Sequence, residues 1–297
     1  MTSSTTELEN CCTEGVDFAW HGACQRLSMI AQVVNSGEQS MWDQGDYEQV
    51  ASRIEGLAMQ LVDTVERRTG ALSGKRVLDL ACGTGNASLE AARRGAQVTG
   101  VDLAEGLLRQ AAAKSQAERL DVRWQMADAA ETGLPAGDFD VVMSSVGLIF
   151  VTRHATAVAE IARLLTEGGV VAWTAWKEQP DNPFGAPIRE FLPAADPAEP
   201  TIYDWSDADQ VAGWLRDDFI DVAMEEYGFM WRFPDVETPV RIAFEASPGH
   251  LASLRELPTS EHGALRLAFE EAFAARRTED GGVEFPNPYV VVSALKA

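Results

Sequence analysis

A glycine-rich segment at residues 77–86 constrains the fold of this chain most strongly. Residues 77–81 form a short apolar run, which is typical of a strand that is covered on both faces. Gly83 and Gly85 let the backbone turn sharply and approach a ligand closely, because neither residue carries a Cβ atom. Asn86 is then a suitable N-cap for a helix. The segment therefore predicts a strand, a turn that binds a nucleoside, and a helix.

The composition of the chain limits which molecules the protein can bind. The chain has 297 residues, of which 46% are hydrophobic, so it can bury the core of one large domain with additions. A net charge of -22 disfavours nucleic acids and anionic membrane surfaces as partners. We expect a cytoplasmic protein, because no apolar run approaches the roughly 20 residues that span a bilayer and the first ten residues do not resemble a signal peptide.

Strands and helices alternate after the glycine turn. Further strands are predicted at residues 96–101, 122–126, 139–145 and 170–176, with helices at 87–94, 103–118 and 153–166, the last capped by Thr152. This alternation predicts a parallel, doubly wound α/β sheet with ligands at the carboxyl ends of its strands.

The chain is predicted to have four parts. They are a disordered tail at 1–14, an N-terminal helical cap at 15–70, a ligand-binding core at 71–176, and a C-terminal part at 177–297. The last part begins with a proline-rich lid at 177–200, followed by a helix at 205–219 capped by Ser206. A strand at 220–233, a helical insertion at 236–278 and a last strand at 288–295 complete it.

The N-terminal cap contains two predicted helices, one at residues 18–34 and one that runs from Asp46 to Gly70. The segment between them combines Trp42 and Tyr47 with a flexible glycine. It is either a gate over the ligand or packing within the helix pair. The two helices could also exchange between protomers of a homo-oligomer.

Asp102 ends the second strand, about 20 positions after the glycine turn. A carboxylate at this position can accept hydrogen bonds from both ribose hydroxyls of a nucleoside. The alternative is a solvated aspartate at the end of a strand, and the register with the glycine turn favours the functional interpretation.

Four motifs together resemble the class I S-adenosylmethionine-dependent methyltransferases over about residues 42–176. They are the segment from Leu78 to Asn86, Val101-Asp102, Ala127-Asp128-Ala129 with Leu134-Pro135 and Phe139 to Val142, and Glu160 to Leu165 before Gly168-Gly169. The chain is most similar to small-molecule methyltransferases related to those of quinone biosynthesis, and to actinobacterial members with the Trp-x-x-Gly-Asp-Tyr segment found at Trp42. Glu167 departs from the proline usual in the family.

The resemblance implies S-adenosylmethionine as the cofactor and a Rossmann-like seven-stranded sheet whose last strand is antiparallel, with N-terminal helices and a helical lid or insertion. It also implies a role for each motif residue. Residues around the methionine portion would be Asp79, Ala81, Gly83, Thr84 and Gly85. Asp102 would hold the ribose, Leu103 would pack on the adenine, Asp128 and the Ala129 backbone would bind the adenine edge, and Ser144 or Ser145 would lie beside the sulfonium.

Aromatic residues lie in or near the lid and the insertion, which indicates a small, mostly apolar or aromatic acceptor, and we expect a role in secondary metabolism. His154 follows the fourth strand and is a candidate base, although a surface histidine near a helix start is the alternative. No cysteine spacing indicates a metal site.

Two other functions remain open. A glycine turn followed by an acidic residue also describes a nicotinamide-dependent dehydrogenase, but Ser88 stands where its third glycine would be. A protein of the methyltransferase fold can also bind the cofactor without transferring a methyl group, as a cyclase or a binding module.

Overall fold

The computed structural model describes residues 41–192, 196 and 198–297. The predicted tail at 1–14 and the predicted helix at 18–34 lie outside these residues, and so do three of the four cysteines, Cys11, Cys12 and Cys24. Their structure and the oligomer proposed through the N-terminal helices stay predictions.

A seven-stranded sheet forms the centre of the described chain. Strands β1 to β9 span Arg76–Leu80, Gln97–Asp102, Val122–Met126, Phe139–Ser145, Leu165–Trp176, Phe219–Tyr227, Met230–Phe233, Val283–Pro286 and Tyr289–Lys296. The large sheet has the order β3-β2-β1-β4-β5-β9-β6, and β7 pairs with β8 in a separate ribbon. Only β9 runs antiparallel to its neighbours in the large sheet, β5 and β6. The predicted seven-stranded α/β sheet with an antiparallel last strand is confirmed.

Helices cover both faces of the sheet and build the additions to it. Helices α1 to α10 span Glu48–Ala51, Glu55–Thr69, Asn86–Arg93, Glu105–Glu118, His154–Leu164, Ala186–Phe191, Ala208–Leu215, Glu237–Arg241, Pro248–Glu256 and His262–Ala274. Short 3-10 helices lie at Met41–Asp43, Leu148–Phe150, Asp204–Ser206 and Thr259–Glu261, and a π-helical turn lies at Ile242–Ala246. The helical insertion is thus α8 to α10, and it lies between β7 and β8.

The second N-terminal helix is broken, where the sequence predicts one helix from Asp46 to Gly70. Helix α1 ends at Ala51, and α2 begins at Glu55. The Ala51 carbonyl accepts bonds from the Ile54 amide and from the Asn86 side chain, so a long-range contact competes with continuation of the helix. Leu57, Leu61 and Val65 of α2 are nonetheless buried on one stripe.

Among the predicted features, the helix caps agree least with the structure. Asn86 is the first residue of α3 rather than its cap, because its side chain is directed to α1 and Gly85 precedes the helix in a left-handed conformation. Thr152 caps nothing, since α5 begins at His154. Asp207 replaces Ser206 as the cap of α7, and its carboxylate accepts a bond from the Gln210 amide.

Two strand boundaries in the structure also differ from the predicted boundaries. The predicted strand at 220–233 is two strands, which separate at Phe229 and Gly228 so that β7 can leave the large sheet and pair with β8. Strand β5 begins at Leu165 instead of residue 170, because Leu165 pairs with Phe139 of β4 before an irregularity in the register.

Gly100 in β2 makes room for the indole of Trp124 on the neighbouring strand. A Cβ atom at position 100 would lie 2.4 Å from Trp124 Cζ3 and 3.1 Å from Cys82 Sγ. We expect Gly100→Ala to lower the free energy of unfolding by about 1–3 kcal/mol, because the half-buried Trp124 ring must move. Urea denaturation measures this change.

Gly213→Ala is the matched control. Gly213 lies on exposed α7 with no atom within 4 Å of an added Cβ, so the substitution should stabilise the protein by up to about 1 kcal/mol. Equal effects at the two positions would contradict the packing described for Gly100.

Candidate functional site

A cleft opens at the carboxyl ends of β1, β2 and β4. The cleft is open to solvent, and the space in it and at its mouth amounts to about 870 Å³. Eight of the ten residues predicted to bind the cofactor line it, namely Asp79, Ala81, Gly83, Thr84, Asp102, Leu103, Asp128 and Ala129. The sequence motifs thus converge on one site.

Three alternate residues of the glycine turn adopt positive φ angles. Ala81 has φ 51°, Gly83 has φ 55° and Gly85 has φ 87°. Ala81 carries a Cβ atom and is therefore strained by about 1–2 kcal/mol relative to glycine. Gly85 does not line the cleft. It packs against Trp124, since a Cβ atom at this position would come within 2.7 Å of Trp124 Cη2. Its positive φ angle and its packing against Trp124 both favour a glycine, and its contact with the cofactor stays a prediction.

Asp102 connects the glycine turn to the start of α4 through two hydrogen bonds. Its Oδ2 accepts a bond from the Gly83 amide at 2.8 Å, and its Oδ1 accepts one from the Ala104 amide at 2.9 Å. The residue is only 7% exposed, so it is not a solvated aspartate at the end of a strand. The side chain also lines the cleft.

Asp79 is a buried carboxylate with an unsatisfied oxygen. Its Oδ2 accepts a bond from the Ser88 hydroxyl at 2.7 Å, whereas Oδ1 has no partner in the described chain. Burial raises the pKa of Asp79 to about 7, and the charge of Asp102 adds to this effect while the bonds from Ser88 oppose it. A positively charged group bound in the cleft would compensate this carboxylate.

Asp128 and its neighbours form the far wall of the cleft. Its Oδ1 accepts a bond from the Ala130 amide at 2.8 Å, and its Oδ2 accepts one from Arg153. Leu103 is 41% exposed at the mouth, while Ala129 is buried. Arg153, which the sequence analysis did not single out, orients the carboxylate that is predicted to bind the adenine.

The N-terminal segment supplies an aromatic wall. Trp42 and Tyr47 both line the cleft, and the Trp42 ring lies 4.4 Å from that of Phe150 and 6.0 Å from that of Tyr47. Burial raises the pKa of Tyr47, and the charges of Asp102 and Glu48 raise it further, so the phenol keeps its proton. Whether these rings also pack within the predicted helix pair stays a prediction, because the first helix lies outside the described residues.

An ion pair holds this wall against the core. The Lys114 ammonium lies 2.6 Å from Glu48 Oε2 and 3.2 Å from the Thr84 hydroxyl, so one cation contacts both the wall and the glycine turn. The Asn86 side chain donates to the Ala51 carbonyl at 2.8 Å from the same side. Long-range contacts of this kind are not visible in the sequence.

Ser145 rather than Ser144 faces the cleft. The Ser144 side chain is fully buried, and its hydroxyl accepts a bond from the Leu148 amide at 3.0 Å. Val146 follows with φ 61°, a strained angle for a β-branched residue, and its amide donates to the Thr174 hydroxyl. Gly147 lies so close to Ala81 that a Cβ atom would be 2.3 Å from the Ala81 carbonyl oxygen.

His154 lies outside the cleft, which corrects its prediction as a base. Its ring packs 4.4 Å from Trp214 and 5.4 Å from Trp205, and its Nε2 is 3.9 Å from Asp204 Oδ2 without a hydrogen bond. Burial lowers the pKa of His154, so the ring is neutral at pH 7, although the charge of Asp204 opposes this shift. Aromatic packing explains this histidine, whose side chain is only 11% exposed.

Within residues 41–192, 196 and 198–297, no group of three or more His, Cys, Asp or Glu side chains is arranged to hold a metal ion. In the same ranges, no helix has the length and apolar character needed to cross a bilayer.

Comparison with known proteins identifies the family. Residues 77–169 match the model of a methyltransferase domain. A demethylmenaquinone methyltransferase from Renibacterium salmoninarum is 33% identical over 165 residues, which cover 50% of this chain and 67% of that protein. The chain therefore belongs to the class I S-adenosylmethionine-dependent methyltransferases.

Other relatives extend the comparison. An uncharacterized protein from Mycobacterium tuberculosis is 37% identical over 188 residues, and the match covers 61% of this chain but only 66% of the relative. The solved structure of the YcgJ protein from Bacillus subtilis has a TM-score of 0.52 with 16% identity, covering 80% of this chain and 97% of the other. This structural likeness shows the shared fold alone.

The raised pKa of Asp79 predicts how stability depends on pH. The unfolded carboxyl group loses its proton near 3.8 and the folded one near 7, so the folded state binds more protons between these values. The wild type should therefore lose stability relative to Asp79→Asn as pH rises, by about 1.4 kcal/mol per pH unit between about pH 5 and 6.5.

Urea denaturation at several pH values measures the difference between the two proteins. Asp217→Asn is the control, because this side chain is 84% exposed and should give a difference that does not change with pH. If the difference in unfolding free energy between the wild type and Asp79→Asn also stayed constant with pH, the raised pKa of Asp79 would be contradicted.

Proposed function

We propose that this protein binds S-adenosylmethionine in the cleft and transfers its methyl group to a small, mostly apolar or aromatic metabolite. The observation that carries the proposal is the unsatisfied Oδ1 of buried Asp79, in a cleft that Asp102 also lines. Two acidic side chains at adjacent strand ends suit a ligand that has both cationic groups and a ribose. The family's cofactor has this chemistry.

Each carboxylate has a separate part in binding. Asp79 would accept a bond from the α-amino group of the methionine portion, Asp102 would accept the ribose hydroxyls, and Asp128 with the Ala129 amide would bind the adenine edge. Asp102 already holds Gly83 and Ala104, so the turn is organised before the ligand arrives. Organisation of this kind lowers the entropy that binding must overcome.

The bound cofactor supplies a methyl group on a positively charged sulfur atom. The chain aligns the acceptor with this group, and alignment alone accounts for much of the acceleration in such a displacement. Trp42, Tyr47 and Phe150 enclose the site with apolar surface that excludes water. Asp79 and Asp102 would place two acidic side chains beside the positively charged ligand.

The proposed acceptor class is based on aromatic residues of the lid and of the strands near it. Phe184 lies 5.5 Å from Trp231 and 6.0 Å from Phe233, and the Trp176 ring lies 5.5 Å from that of Phe229. These contacts favour an apolar or aromatic acceptor. The name of the Renibacterium relative, a demethylmenaquinone methyltransferase, supports the same class. A cytoplasmic location, a role in secondary metabolism and the absence of a nucleic-acid substrate belong to this proposal, and the net charge of -22 supports the last.

The dehydrogenase alternative is less well supported. The strand order with antiparallel β9 between β5 and β6 differs from the parallel order 3-2-1-4-5-6 that is usual in dinucleotide-binding domains. Ser88, at the position of their third glycine, is fully buried and bonds to Asp79. A glycine there would leave this carboxylate without its hydroxyl partner.

Calorimetry with S-adenosylhomocysteine tests the binding half of the proposal. We expect the wild type to bind it and Asp102→Asn to bind at least about tenfold more weakly, because an amide nitrogen replaces one of the acceptor oxygens. Asp217→Asn serves as the control with an exposed carboxylate and should bind like the wild type. The proposal fails if the wild type does not bind the compound, or if all three proteins bind it equally.

Mass spectrometry tests the transfer half. The wild type is incubated with S-adenosylmethionine and panels of phenols, amines and indoles, and we expect at least one panel to gain a methyl group. Methyl groups found only on proteins or nucleic acids would contradict the acceptor class. Cofactor binding without consumption in any panel would support the cyclase or binding-module alternative.

A further inference from the structure

Arg53 and Arg241 form a pair of like charges at the border between the cleft wall and the insertion. Both contact Gln49, since Arg53 Nη1 donates to its backbone carbonyl and Arg241 Nη1 donates to its side-chain oxygen at 3.3 Å. Both arginines are partly buried. Arg53 lies between α1 and α2, and Arg241 ends α8, so the pair connects two parts of the chain that are distant in sequence.

Neither arginine has an ion pair in the described part of the chain. Most other arginines there do, as expected for an acidic protein. The nearby carboxylate of Asp235 accepts bonds from the Thr238 amide and hydroxyl, both at 2.7 Å, and Asp46 accepts one from the Gln49 side chain. The hydrogen bonds of these acidic groups thus go to uncharged partners, although the charge of Arg241 also helps to lower the pKa of Asp235.

Two adjacent cations in a partly buried position repel each other, and the charge of Asp235 near Arg241 offsets this repulsion without forming an ion pair. Burial lowers the pKa of Arg53, and the charge of Arg241 lowers it further. The Arg53 guanidinium also lies over the Phe233 ring, 5.7 Å from its centroid, which holds the cation in one place. An arrangement of this kind is typical of a binding site for an anion, because arginines can each donate two parallel bonds to a carboxylate or a phosphate.

The position of the pair relates it to the acceptor. Ala51 and Ile54, on either side of Arg53, line the cleft, and Phe233 belongs to the aromatic cluster with Phe184 and Trp231. We propose that Arg53 and Arg241 bind an anionic group, a carboxylate or a phosphate, on the methyl acceptor. This inference rests on the proposed function and narrows the acceptor to an aromatic or apolar molecule that carries an acidic group.

Calorimetry on the full chain, saturated with S-adenosylhomocysteine, tests the site with benzoate, phenyl phosphate and neutral benzamide as probes. We expect at least one anionic probe to bind the wild type more tightly than benzamide does. The tighter of the two anions identifies whether the site takes a carboxylate or a phosphate. Equal affinity for the anions and for benzamide would overturn the proposal.

Arg53→Gln and Arg241→Gln should each weaken binding of the preferred anion at least about tenfold, since a charge-assisted hydrogen bond is lost. Arg232→Gln is the matched control, because Arg232 lies on β7 beside Phe233 but pairs with Glu284 at the surface. It should bind the anion like the wild type. Unchanged anion binding in both variants would overturn the proposal.

Two further measurements separate the possible failures. The midpoint temperature of thermal unfolding should be no lower for Arg241→Gln than for the wild type, because a like-charge repulsion is removed. A lower midpoint with unchanged anion binding would assign the pair a structural role instead.

Titration with S-adenosylhomocysteine alone tests the proposed function. If that compound binds and the anions do not, only the acceptor inference fails, whereas anion binding without cofactor binding contradicts the proposed function.

Discussion

The hydrogen bonds of one carboxylate organise the site. Asp102 accepts the Gly83 amide through one oxygen and the Ala104 amide through the other, and so joins the turn after β1 to the start of α4. The left-handed residues of the turn can be held only because such contacts fix them. The same carboxylate also acts on Asp79 and Tyr47, whose pKa values its charge raises. Conformation and electrostatics of the cleft thus depend on a single side chain.

Much of the fold could be predicted because it is encoded locally. Apolar runs separated by glycine and helical stripes are properties of short segments, and they predict the strands and most helices correctly. Helix caps at Asn86 and Ser206 were predicted wrongly, because a capping residue can also bond to a distant backbone group or be replaced by a neighbour. Such competition is decided by tertiary contacts.

The residues of the candidate site also divide into those that the sequence predicts and those that only tertiary contacts place. Acidic residues at strand ends can be placed on the correct edge from sequence, since parallel strands end together. Which of two neighbouring serines faces the cleft depends on a one-residue register, and the structure selects Ser145. His154 was placed by its position after a strand, but the rings of Trp205 and Trp214, distant in sequence, surround it. Arg53 and Arg241 carry no motif, and only the fold brings them together.

The bonds from Asn86 and Lys114 to α1 have a consequence for the position of the cleft wall. They hold the wall at Ala51 and Glu48, close to where it joins α2, whereas Trp42 contacts the opposite rim through the ring of Phe150. The Asp46 amide also donates to the Ala246 carbonyl at 3.2 Å. The wall of the cleft is therefore tied to the helical insertion as well as to the core, so a ligand in the cleft meets a wall whose position both parts set.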